Sequence, residues 1–477
     1  MSGDNRGLIE EVADFAGHAA RHGLPAQRRE TAVRAVLDTV GVMALGSAQP
    51  VLQTVLAVTR QWGALPEATA LGHQERLPGA SAAFVNGTLA HCMDYDDTHL
   101  PSVLHPSASV VPTALAVAEA AGTDGPRLLD AVAVGTEVSI RLGMAGYDED
   151  RRNSIFFDRG QHATSICGAV GSAVTAAMVL SGDAATIAAA GSIAASMSSG
   201  LIEANRTGGT VKRIQTGWAA HCGVTAAQLA VAGLTGPPTV LEGRFGFFRA
   251  FCGERARPER VTAGLGDHWH SDQLHVKPYP CNHFTHTVID AAVELRRRGV
   301  RPAEVLSVEL GVAEPVLRTI AEPAADKAAP TTGYAAAFSG PYAFAAALVG
   351  GGGLGAHVED FTDAAVRRTE VLDLAGKVRC HADPECTRIF PDQLPSRVTA
   401  HLADGRTEQV SCLSNRGGPG RPLTDAELDL KFSLNARTCY DPATAASISQ
   451  EIRRLITAPD VRPTMKLLRT HHSGGIS

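Results

Sequence analysis

Residues 306–312 read LSVELGV, and Leu306, Val308, Leu310 and Val312 alternate with other residues in the period-two pattern of a half-buried strand. Before this stretch the texture is different. Val33, Val36, Leu37 and Val40 fall at i, i+3, i+4 and i+7, the stripe of an amphipathic helix, and further helical segments are predicted near 8–22, 51–62, 81–93, 109–121, 127–146, 164–181, 184–196 and 219–233. Beyond it, after one helix near 286–298, Val398, Ala400 and Leu402 repeat the alternation, Asp404-Gly405 supplies a hairpin turn, and Val410 and Cys412 return. The tail is helical again, opened by the capping box of Thr424 and Glu427. That last piece is too short to stand alone and is expected to dock on the first helices. The reading is a mainly α chain: a large all-helical domain built from both chain ends, with a smaller α+β domain inserted. Its expected limits are 1–271, 272–414 and 415–477.

With 477 residues, 44% hydrophobic and 19% charged, the chain can bury a core without disulfides or structural metal. The 43 Lys+Arg against 49 Asp+Glu, with no basic block longer than Arg296–Arg298, argue against nucleic acid or an anionic membrane as partner. Nine scattered cysteines without a C-x-x-C give no zinc ribbon or iron-sulfur loop, and Cys380, His381 and Cys386 lack a second pair. The acidic N-terminal stretch MSGDNRGLIEEVADF is unlike a signal peptide, so a cytoplasmic protein is expected. Residues 165–180 and 335–353 are apolar but rich in Ala and Gly, and read as buried helices rather than spans.

Four stretches could carry chemistry. The densest is HCMDYDDTHLPSVLHPS, which gathers Asp94, Asp96, Asp97, Thr98, His91, His99 and His105 between two apolar helical runs. Acids and imidazoles at that density near a core must pair or work. Pro106 at the start of the next helix sets His105 beside the positive end of its dipole, a place that suits an anion. His162, in FDRGQHATSICGAVGSA, also precedes a tight small-residue helix that Thr164 or Ser165 could cap. Lys212 and Arg213 follow a Gly208-Gly209 turn, where backbone and ammonium can approach an anion closely. Lys277, His283 and His286 lie in HVKPYPCNHFTHTVIDAA at the expected domain junction and suit a polycarboxylate. A solvated loop, a structural histidine, a surface Lys-Arg pair and a plain connector are the respective alternatives.

The order DYDDT then HPS, G-x-H-x-T, GGTVKR-x-x-x-G, K-P-Y-P-x-N-H-x-x-H, FSGPY and PLTDAEL…KF resembles the MmgE/PrpD family over nearly the whole chain. The resemblance implies a helical domain with an inserted α+β lid, a homodimer, and no metal or organic cofactor. It implies an active site between helical domain and lid, with Asp94, Thr98, His105, His162 and Lys212 from the former, Lys277 from the lid's edge, and Tyr342 in FSGPY near the substrate. Members of the family include 2-methylcitrate dehydratase, cis-aconitate decarboxylase and iminodisuccinate epimerase. In the animal decarboxylases a histidine falls five residues after the counterpart of Lys277, where this sequence has Asn282 followed by His283.

The function expected on these grounds is a metal-independent lyase for a small di- or tricarboxylate, in first place a hydro-lyase like 2-methylcitrate dehydratase. Removing water needs a base for a carbon-bound proton and an acid for the leaving hydroxide. His105 and His162 are the candidates, with the two roles left open between them; Asp94 would orient a histidine or bind a hydroxyl, Thr98 would fix a carboxylate, and Lys212 and Lys277 would neutralise charge. Epimerisation and decarboxylation start from the same groups and are the alternatives, and an inactive carboxylate-binding helical scaffold is the non-enzyme one.

Overall fold

The structure, a computed structural model, describes residues 6–469. The chain divides into two compact units, one of residues up to Leu274 together with Phe432 onward, the other of His275–Lys431. Residues 415–431, placed from sequence in the returning tail, belong to the second unit. Within that unit Arg416 donates to the Tyr279 hydroxyl at 3.4 Å and to the Leu354 carbonyl at 3.1 Å, and pairs with Glu427; Arg421 reaches Asp290 at 3.3 Å.

The first unit is built from α1 (Leu8–His22), α2 (Ala26–Gly46), α3 (Val51–Trp62), α4 (Gly79–His91), α5 (Ser107–Ala121), α6 (Gly125–Ala145), α7 (Ala163–Leu180), α8 (Ala184–Met197) and α9 (Lys212–Val231). α9 packs along α4 and α7, and α7 also lies against α5, α6 and α8. Several of these helices lack a polar face because they are enclosed all round. α7 is long and apolar enough to cross a bilayer, and 94% of that stretch is buried inside the protein. α2 and α3 would meet the same test only as one span broken by a 97° bend.

Small residues let the main chains touch. A Cβ on Gly217 would lie 2.3 Å from the Phe84 carbonyl oxygen, and one on Gly87 would lie 2.8 Å from the Gly217 Cα, so α4 and α9 cross glycine on glycine. Gly171 meets α6 the same way, with a Cβ 2.5 Å from the Gly135 oxygen. Backbone contact of this kind fixes how closely each pair of helices approaches.

Downstream of α9 the chain runs through short 3₁₀ turns, and a buried arginine fastens them. Arg141, fully enclosed on α6, pairs with Glu137 at 2.7 Å and donates to the carbonyls of Val261, Ala263, Gly264 and His268. Glu137 also accepts the backbone N–H groups of His270 and Ser271 at 3.0 and 2.9 Å.

The second unit holds the four-stranded sheet, whereas strands of the first unit are two-residue pairs. β1 (Val305–Val312) lies between β2 (Val378–Ala382) and β3 (Ser396–Leu402), and β4 (Thr407–Cys412) completes the order β4-β3-β1-β2. β1 is antiparallel to β3 with Leu310 opposite Val398 and parallel to β2; Val308, Leu310 and Val312 are buried as the alternation predicts, whereas Leu306 is exposed and Val305 is buried, because the register shifts between Val305 and Ser307. β2 escapes a periodicity reading because only Val378 of VRCHA is buried, as befits an edge strand. Cys380 and His381 are therefore strand residues in register with Leu310 and Gly311. α10 (His286–Arg297) covers β3 and β4 and packs on α11 (Gly340–Val349), the buried helix expected within 335–353.

α12 (Asp425–Ala436) starts with the expected box: the Thr424 N–H donates to Glu427 at 2.7 Å and the Glu427 N–H to the Thr424 hydroxyl at 3.3 Å. From Phe432 the chain rejoins the helical unit. α13 (Pro442–Arg454) packs on α2 and α14 (Arg462–Leu468) on α5.

Candidate active site

Four helix ends in the first unit carry the polar groups. His91 is the last residue of α4, His105 stands two residues before α5, His162 is the N-cap of α7, and Lys212 is the first residue of α9. The N-termini of α5, α7 and α9 leave main-chain N–H groups without intrahelical acceptors and add their positive dipole ends, an arrangement that favours negative charge. His105, His162, Thr164 and Lys212 line one pocket with Val103 and Asn205. The loop that delivers His105 is strained at two points: Asp94 at φ 53° and Val103 at φ 55° both occupy the left-handed region, which a β-branched valine rarely adopts.

Within the cluster each ring has a defined place. His105 Nδ1 lies 2.7 Å from the Asp97 main-chain carbonyl, which can only accept, so Nδ1 carries the hydrogen and Nε2 presents its lone pair. Nε2 is 3.8 Å from Asp94 Oδ1, and Asp94 Oδ2 is 3.7 Å from Lys212 Nζ. Thr98 Oγ1 stands 3.2 Å from His105 Nδ1, so this hydroxyl fixes the ring. Ser107 donates its N–H and hydroxyl to the buried Asp97 carboxyl at 3.3 and 2.5 Å. Burial, opposed by Ser107 and reinforced by Asp96 and Asp38, pushes Asp97 up to about 7.

His162 is held neutral. Burial first, then the charges of His91, Lys212 and His105, push its pKa well below the usual histidine value, and its Nδ1 has no hydrogen-bond partner among the described residues. The expected caps of its helix have other duties: Thr164 Oγ1 accepts the His105 N–H at 3.3 Å, and the Ser165 hydroxyl donates to the Ser199 and Gln215 carbonyls at 2.7 and 2.9 Å. Gly208 and Gly209, at φ 89° and 100°, make the turn expected before Lys212.

His91 and Asp96 join this group, although no spacing rule marked them as partners. Their Nδ1 and Oδ2 are 2.7 Å apart and both side chains are 1% exposed. An H-x-x-x-x-D spacing has no fixed meaning in a loop, so only the crowding of acids and imidazoles signalled it. His91, Asp94 and Asp96 offer ligand atoms within 4.8 Å of one another, as a metal site would. The Lys212 ammonium beside Asp94 sets a fixed cation at that spot, and a divalent ion would have to enter against it.

The remaining candidates lie in the second unit. Lys277, His283 and His286 are buried. The His283 and His286 rings are 4.5 Å apart, with His275 5.5 Å from His283. His286 donates from Nε2 to the Cys281 carbonyl at 3.2 Å; burial, then the charge on Lys277, pushes it down to about 3. Asn282 caps the turn that follows it, accepting the Phe284 N–H at 3.0 Å. Tyr342 lies in the apolar core with its hydroxyl donating to the Asp360 carbonyl at 2.8 Å and its ring near Phe361; burial pushes it up to about 12.

Comparison with known proteins finds family models along nearly the whole chain. The model of the MmgE/PrpD N-terminal domain matches residues 10–259, and that of the MmgE/PrpD C-terminal domain matches residues 279–456. The chain belongs to the MmgE/PrpD family. Among curated proteins, the cis-aconitate decarboxylase of Homo sapiens is 31% identical over 91% of this chain and 89% of its own length. That of Mus musculus is 30% identical over 97% and 94%, and one from Aspergillus terreus is 26% identical over 97% and 96%. As expected for a family member, the fold is mainly α.

Proposed function

We propose that the protein is a lyase acting on a small polycarboxylate, and that decarboxylation of a cis-aconitate-like tricarboxylate is its reaction. The observation that carries this is the meeting of three helix N-termini and Lys212 around two imidazoles, His105 and His162. The similarity to decarboxylases along nine-tenths or more of the chain supports the choice of outcome.

Carboxylates of the substrate take the helix starts and the lysine ammonium. Cleavage of the C–COO bond releases CO2 and leaves its electron pair in the neighbouring C=C–carboxylate system, where Lys212 stabilises the developing charge. A carbon then takes a proton, so each turnover consumes one. His105, with Nε2 directed away from its Asp97 anchor, is the group poised to accept and deliver it. His162 is neutral in the resting protein; a bound polyanion offsets the neighbouring charges that hold it so, and the ring takes up a proton as substrate enters.

Dehydration of a 2-methylcitrate-like substrate is the second reading, favoured by Asn282, whose side chain is engaged as a turn cap where the decarboxylase resemblance calls for a histidine. Proton NMR of the purified protein with cis-aconitate and with 2-methylcitrate in D2O separates the two. Decarboxylation yields CO2 and a product carrying solvent deuterium, whereas dehydration yields a new alkene without CO2. His105→Ala and Lys212→Ala each lower turnover at least ~100-fold on this proposal, the scale of general acid/base loss. Near-normal turnover in both overturns it.

A further inference from the structure

His91 touches neither of the roles just assigned, yet it stands beside both. Its ring centroid is 5.3 Å from that of His105 and 5.4 Å from that of His162, with interplanar angles of 51° and 36°. Nδ1 is committed to Asp96 at 2.7 Å, and the side chain is buried. Nε2 is enclosed and has no hydrogen-bond partner among the described residues, as is true of His162 Nδ1. Two buried, unsatisfied ring nitrogens in neighbouring imidazoles are costly in a finished core, and such groups are kept where protons move or charge is tuned.

We propose that His91, held by Asp96, is a positioning residue that sets the protonation of the two working imidazoles. The inference rests on the acid–base reading given above. Asp96 fixes the ring through Nδ1, so the charge carried by His91 changes only at Nε2, on a group that cannot turn away. A proton there repels a proton on His162, and its loss lets His162 charge. The groups around His91 are Asp94, Asp96 and His105 from the loop that follows it and His162 from α7, while from α9 Lys212 acts on Asp94 and His162 and Arg213 on the adjacent Cys92, whose thiol burial pushes up to about 12. After burial, His91 acts on His162 more strongly than Lys212 or His105.

The test uses the full-length protein with 15N-labelled histidine. Ring-nitrogen NMR titrations between pH 5 and 8 are recorded for the native protein, His91→Asn, which keeps an amide donor toward Asp96, and Asp96→Asn. In His91→Asn the His162 resonances titrate at higher pH, by about 0.5 unit or more, because one repelling neighbour is gone. In Asp96→Asn the hydrogen-bonded Nδ1 signature of His91 disappears and the His162 curve moves as well. With whichever of cis-aconitate or 2-methylcitrate is turned over, kcat falls about 10-fold or more while KM stays within about twofold, and the limbs of the pH profile shift with the NMR curves. An unchanged His162 titration in folded variants overturns the proposal, as does a loss of activity that only follows the folded fraction. If neither variant folds, the native titration decides: linked titration of His91 and His162 supports the proposal and independent curves overturn it. Absence of turnover on either acid would count against the lyase reading alone, since the ring nitrogens report without substrate.

Discussion

Asp97 keeps its proton near neutrality because burial outweighs the two hydrogen bonds from Ser107, and Asp96 and Asp38 add like charge. The sign of the consequence is fixed. A carboxyl raised from its unfolded value to about 7 favours the folded state at low pH, and that contribution is lost as pH rises through 7. Asp97→Asn removes the titration, so urea unfolding should show it gaining more stability over the native protein at pH 8 than at pH 5. His162 works in the other direction: its depressed value makes the fold lose stability as pH falls below about 6.5, the ordinary histidine value. The same depression predicts that a non-reacting tricarboxylate binds with net proton uptake at pH 7, which calorimetry in buffers of different ionisation heat will detect. Equal apparent heats in all buffers would refute that uptake.

At the scale of elements, the glycine crossing of α4 and α9 leaves no room for a side chain. Gly217→Ala should cost about 1–3 kcal/mol by denaturant unfolding, because the Phe84 carbonyl cannot give way, whereas Gly420→Ala, with open space at its Cβ, should stay within about 0.5 kcal/mol. Arg141→Met leaves Glu137 buried and short of its partner. A loss of about 3–5 kcal/mol is expected, with faster hydrogen exchange at the His270 and Ser271 amides. Neither feature could be read from sequence in the same way as β1 or the Thr424 box. Periodicity reveals a strand with one buried face and a cap reveals itself by spacing, but a helix enclosed all round has no stripe to read. The His91–Asp96 pair was hidden for a related reason: its five-residue separation acquires meaning only from the bend at Asp94. The helix starts beside His105 and His162 were legible because Pro106 and the Gly-Gln-His run punctuate them, whereas α9, expected over 219–233, begins seven residues earlier at Lys212, directly after the Gly208-Gly209 turn.

Across the whole molecule, the helical unit depends on residues that follow the insertion. Ile448, Ile452, Leu455, Val461, Met465 and Leu468 are all buried, and each contributes about 1.5–3 kcal/mol by leaving water. Truncation after Ala436 removes all six and no candidate site residue. Even so, circular dichroism should show loss of cooperative thermal unfolding in the helical unit, and an unaltered melting curve would contradict the two-ended architecture. Contact between bare main chains at Gly87 and Gly217 has a longer reach. Each added methyl group there meets main chain, so drift in the spacing between α4, which ends at His91, and α9, which begins at Lys212, is closed. Change in the surroundings of Lys212 is therefore left to the connecting loops, and residues 199–211, between α8 and Lys212, are where divergence should be sought first.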